Sequence, residues 1–150
     1  LAMLIIDNML SDNLVGIFWK ELRENKNTVY SLYSYYPSLF LTSYYLVLFP
    51  TNDEYNTFYT IRRILDDLVN SKYDHLISLS KNRLINKLKG VFNDPDSLVF
   101  SFIYPLIYRN KFISVFFLIN NLYIVNDNEI RNVYKKYLSN YYILRLQQIK

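Results

Sequence analysis

His75 is the chain's only histidine, and it follows Asp74. An imidazole beside a carboxylate is the beginning of acid–base chemistry. A base also needs a nucleophile or substrate within hydrogen-bond reach, and no spacing in the sequence supplies one. His75 therefore reads as an exposed helix residue. With one histidine and no cysteine, a metal site would have to be built from carboxylate and amide oxygens alone. Asp66-Asp67 lie next to each other in a helical segment, where neighbours point about 100° apart and share no face. They read as solvated i+4 partners of Arg62 and Arg63.

Three polar clusters, at 51–54, 93–96 and 126–129, are rich in Asn and Asp. A calcium loop needs oxygen ligands at alternate positions, a glycine and a distal glutamate, and none of the three has that set. Each instead places Asn or Asp just before a periodic segment with acid in its first turn. That is helix N-cap chemistry, with Asp94 as a cap, Pro95 at a first helical position, and Asp53, Asp94 and Asp127 marking the three starts. The chain has only two glycines, so a Rossmann fold, a phosphate loop and a hairpin-rich β protein are disfavoured. The expectation is a non-enzymatic protein with no cofactor.

Two groups of residues remain as binding candidates. Tyr30, Tyr33, Tyr35 and Tyr36, with Trp19, form the first: large amphipathic rings are what protein interfaces favour. They imply a partner helix or peptide in an aromatic groove. The second group is basic. Residues 1–71 hold 5 Lys+Arg and 8 Asp+Glu (−3), residues 72–150 hold 12 and 5 (+7), and the two recover the net +4. Lys81, Arg83, Lys87 and Lys89 fall on one predicted helix. Arg131, Lys135 and Arg145 lie within about 80° on the last, with Tyr142 close by. Such a strip suits a nucleic-acid backbone or an anionic membrane, as in an accessory nucleic-acid-binding or transcription-regulator domain. No helix-turn-helix with a glycine-bearing turn accompanies it.

The elements that must position these groups are helical by periodicity. Segments near 3–10, 12–25, 28–35, 38–49, 53–70, 73–91, 95–108, 111–125 and 128–148 are predicted as helices, with Pro37 and Pro105 breaking or kinking theirs. The fold class is all-α: one 150-residue domain, an irregular orthogonal bundle of seven to nine helices. The alternative is an array of helical pairs, suggested by cap spacings of 41 and 33 residues.

Residues 28–50 carry no charge and are long enough to span a bilayer, but they hold six Tyr, six Ser or Thr and two Pro. The nearly all-apolar half, 38–49, is expected as the central buried helix. No membrane span is predicted. No secretory signal is read either, so the expected setting is intracellular, the cytoplasm. Self-association is open. Leu1-Ala2 before Met3 read either as a cloning remnant or as the start of a piece cut from a longer chain.

Abundant Asn, Tyr, Ile, Phe and Lys with scarce Ala and Gly point to a low-GC genome, which accounts for part of the tyrosine excess. A viral modulator of host signalling or cell death, acting in the host cytoplasm or nucleus, is one concrete form of the interaction-domain expectation.

Overall fold

Met3, Ile5, Ile6, Met9 and Leu10 form one wide apolar face, about 160° at 100° per residue, on the helix Ala2–Ser11 (α1), and all five are buried. A face that wide is buried against more than one neighbour, and α1 packs against both α3 (Ile77–Gly90) and α6 (Asp127–Tyr137). Each fully buried Ile or Leu there is worth about 1.5–3 kcal/mol over its exposed state. Of the helix expected at the centre, 38–49, residues 44–49 are not helical, and it is α1 that lies in the core among the described residues. The computed structural model describes residues 1–36, 44–109 and 114–146, and within 95–109 the side chains at 95–99, 103, 106 and 107.

After α1 the chain turns tightly. Asp12 Oδ1 accepts from the amides of Leu14 and Val15, at 3.0 and 3.2 Å. A Cβ on Gly16 would sit 2.6 Å from the backbone N and O of Asp12, so only glycine fits this approach. A π-helical segment follows, Trp19–Asn25. Asn27, in the left-handed region at φ 53°, closes it, and the Thr28 amide reaches back to the Leu22 carbonyl at 2.8 Å.

The next segment departs from the sequence expectation. Residues 28–35 are not helical: Tyr33–Tyr35 is a strand, β1, paired antiparallel with Leu46–Leu48, β2. The predicted helix at 38–49 is overturned over 44–49, while residues 37–43, with the expected break at Pro37, lie outside the described residues. The register sets Tyr33 opposite Leu48 and Tyr35 opposite Leu46. An outlying bridge joins Val29 to Thr51. Four steps on the first strand then match three on the second, so one residue is bulged between them.

The remaining helices follow the cap positions. Glu54–Val69 (α2) starts where Asp53 accepts from the Asn56 amide at 3.1 Å. Its buried side runs Thr57, Ile61, Ile64, Leu65 and Leu68. The turn Asp74–Leu76 is 3₁₀, as is Val91–Asn93 after α3. Pro95–Arg109 (α4) begins directly after Asp94, which accepts from the Asp96 amide at 3.2 Å and from the Ser97 hydroxyl.

A break or a kink is expected at Pro105, and α4 runs on through it unbroken. One missing amide removes one hydrogen bond of the ladder, and the turns on either side persist. Val115–Ile124 (α5) is capped by Ser114, which accepts from the Phe117 amide at 3.1 Å. α6 opens on a full capping box between Asn126 and Glu129. It ends at Tyr137, well short of the predicted 148, because Ser139 and Asn140 are poor helix formers, and 141–146 is irregular. The described chain is thus mostly helical, with a two-stranded ribbon laid on it.

Candidate protein-interaction face

The ribbon alternates as a strand pair should, but its outward side is not polar. On the second strand segment, Tyr44, Leu46 and Leu48 are exposed, while Tyr45, Val47 and Phe49 turn inward onto the core. On the first, Tyr33 and Tyr35 point out, and Tyr36 is packed against the core. Inward, Phe49 meets Phe18 edge-on at 5.3 Å. The Tyr45 hydroxyl lies 2.6 Å from Ser11 Oγ. Burial pushes the Tyr45 phenol well up, helped by the nearby Asp7 carboxylate.

Outward, cross-strand pairing sets Tyr33 beside Leu48 and Tyr35 beside Leu46, with Tyr44 edge-on to Tyr35 at 6.3 Å. Tyr33 is 62% and Tyr35 58% exposed. Five aromatic or aliphatic side chains therefore share one solvent-facing surface. An exposed apolar cluster of this kind marks an interaction site.

Beside β1 lies a polar cleft of about 420 Å³, bordered by Asp7, Asn8, Ser11 and Asp12 of the α1 side, by Ser34, and by Lys87 of α3. Asp7 Oδ1 and Asn8 Oδ1 are shut off from solvent and accept no hydrogen bond among the described residues. Tyr33 borders both the cleft and the outward face.

The other tyrosine candidates are placed differently. Tyr30 is exposed, but the Arg23 guanidinium lies 5.5 Å from its ring and 4.1 Å from that of Trp19. Trp19 is partly buried against the core and already holds a cation on its face. Of the four tyrosines and Trp19, the structure brings only Tyr33 and Tyr35 to the outward face. Sequence reasoning missed Tyr44, Leu46 and Leu48. No sequence signal marks them: residues 44–49 are all apolar or aromatic, and their alternation is one of burial alone.

Three of the basic candidates hold partners within the chain. Lys81 Nζ donates to the carbonyls of Tyr123 and Val125, at 3.0 and 2.8 Å, and so closes the C-terminal end of α5. Arg131 Nε is 2.5 Å from Asp74 Oδ2. Arg145 lies beyond α6 and pairs with Glu54 of α2 at 2.9 Å, so the expected alignment of Arg131, Lys135 and Arg145 on one helix does not hold. Tyr142 also falls outside the helix. Lys87 borders the cleft, and Lys89 and Lys135 are exposed. Arg83 is partly exposed and makes no hydrogen bond or ion pair among the described residues.

Asp74 is committed elsewhere than to His75. It accepts from Arg131 and from the Tyr134 hydroxyl. Burial pushes the Asp74 carboxyl up, but the Tyr134 and Arg131 donors outweigh it and hold it below its usual range. Burial, then the bond to Asp74, pushes Tyr134 up to about 12. His75 is exposed, with Nδ1 3.2 Å from the Lys72 carbonyl.

The expected i+4 pairs on α2 also give way: Arg63 bonds Glu21 at 2.5 Å and Asp67 bonds Lys72 at 2.8 Å. No group of three or more His, Cys, Asp or Glu able to hold a metal occurs among the described residues. No helix there is long and apolar enough to cross a membrane. No protein-family model matches the chain, and no curated protein matches it in sequence.

Proposed function

We propose that the chain is a non-enzymatic interaction domain that presents the outward face of its β-ribbon to an extended peptide of a protein partner. The observation that carries this is the inverted polarity of the ribbon, with Tyr33, Tyr35, Tyr44, Leu46 and Leu48 facing solvent in register. A two-stranded ribbon is marginal alone and leaves an unpaired edge on each strand. A partner strand completes the backbone hydrogen bonds, and the alternating side chains of the face supply selectivity. A regulator that occludes a partner's segment in this way needs no catalytic group. An intracellular setting and a role in host modulation are parts of this proposal that rest on composition.

Selection of peptides from a displayed random library, followed by titration of the winners, tests the idea. Tyr33→Ala and Tyr35→Ala should each weaken binding about tenfold. Their stability should stay within about 0.5 kcal/mol of the parent, as for surface sites. Tyr36→Ala, packed against the core, should instead lower stability. If the selected peptides bind Tyr33→Ala and Tyr35→Ala as tightly as the parent, the ribbon is not the site.

A further inference from the structure

We propose that the outer faces of α4 and α5 dock on the surface of an anionic lipid bilayer. On α4, Val99, Ile103, Leu106 and Ile107 fall at i, i+4, i+7 and i+8, one face of a helix, and all are exposed. On α5, Val115, Ile119 and Leu122 are buried, while Phe116, Phe117 and Ile124 face solvent. Ile107 is 67% and Ile124 76% exposed. Phe92, in the turn just before α4, meets Phe116 of α5 at 4.7 Å, so the start of α4 lies against α5.

The two helices contain 15 and 10 residues. At 1.5 Å per residue neither crosses a hydrocarbon core of about 30 Å, but each is long enough to lie in the interface.

Charge selects the occupant. No charged residue occurs in 97–108 or in 112–125. Around these runs, residues 81–125 hold six Lys or Arg and two Asp, a balance of +4 that equals the whole chain's net charge. Lys89, exposed at the end of α3, lies three residues before Phe92. Apolar runs bordered in sequence by positive charge, with Lys81 held at the Tyr123 and Val125 carbonyls where α5 ends, match lipid tails beneath an anionic headgroup layer. A second copy is the poorer fit, because isologous pairing sets the same positive segment against itself.

The test is sedimentation of the whole protein with vesicles of phosphatidylcholine alone, or of phosphatidylcholine with phosphatidylserine. Binding is expected only to the second kind, and it should weaken as salt is raised. The double substitution Ile107→Glu and Ile124→Glu should reduce partitioning about tenfold or more without changing the melting temperature. Phe117→Trp should give an emission blue shift with phosphatidylserine vesicles, a readout that does not depend on comparing variants for folding. Tyr33→Ala should bind vesicles normally, so this proposal and the ribbon proposal fail independently. No binding to either vesicle, equal binding to both, or a concentration-dependent dimer abolished by Ile107→Glu would each overturn the assignment.

Discussion

The contact between Asp74 and α6 gives the most direct test of how this fold is held. Tyr134 is fully buried, and its hydroxyl donates to Asp74 Oδ1, sixty residues back in the chain. Tyr134→Phe keeps the ring packing and deletes that one bond. A hydrogen bond to a charged acceptor is worth about 1.5–3 kcal/mol. The Asp74 side chain is 21% exposed, so solvent screens the bond only in part. For a chain of this size the loss lowers the melting temperature by about 3–12 °C. Asp74→Asn should cost more, since Arg131 and Tyr134 both lose a charged acceptor.

The pH dependence separates the two variants. The folded carboxyl of Asp74 is held below its unfolded value, about 3.9, so its contribution is present above that pH and fades as pH falls through the folded value. The gap between parent and Asp74→Asn should therefore be constant near neutrality and close on acidification below about pH 4. Tyr134 behaves oppositely. Its folded value of about 12 lies above the unfolded value of about 10. Its contribution is complete below pH 10 and is lost as pH rises through 12, a dependence Tyr134→Phe should lack. Thermal unfolding followed by circular dichroism across pH measures both. A Tyr134→Phe protein as stable as the parent, or an Asp74→Asn gap that is the same at pH 3 and pH 7, would refute the account.

Two further substitutions probe the packing. Gly16→Ala forces a methyl against the Asp12 backbone, which cannot yield as a side-chain tip would, and should cost about 3 kcal/mol or more by urea unfolding. An unchanged midpoint would mean that this approach is not close in solution. Lys81→Met keeps the aliphatic stem but frees the Tyr123 and Val125 carbonyls. It should cost about 1–2 kcal/mol and speed amide exchange at the end of α5, whereas Lys89→Met should do neither.

What the sequence discloses here divides by range. The three Asn/Asp clusters were legible as caps because an N-cap bonds only two or three residues ahead; Asp53 and Asp94 cap their helices, and the third cap is Asn126, one residue before the expected Asp127. Tyr33-Ser34-Tyr35 and Leu46-Val47-Leu48 were not legible as strands. Each is three residues long, too short for periodicity to separate strand from helix, and no Asn-Gly or Asp-Gly turn announces the pairing. What decides the matter is inward packing: Tyr45 onto Ser11, and Phe49 onto Phe18, which lie 34 and 31 residues away. The charge layout fails in the same way. On helix geometry Arg131 and Arg145 share a face. Yet Arg131 reaches back 57 residues to Asp74, while Arg145 leaves the helix for Glu54. Lys81, Arg131 and Arg145 are thus tied to partners within the chain, and Arg145 lies off the helix that was expected to carry it. The positive charge left without a partner among the described residues includes Arg83, exposed Lys89, three residues before Phe92, and Lys135.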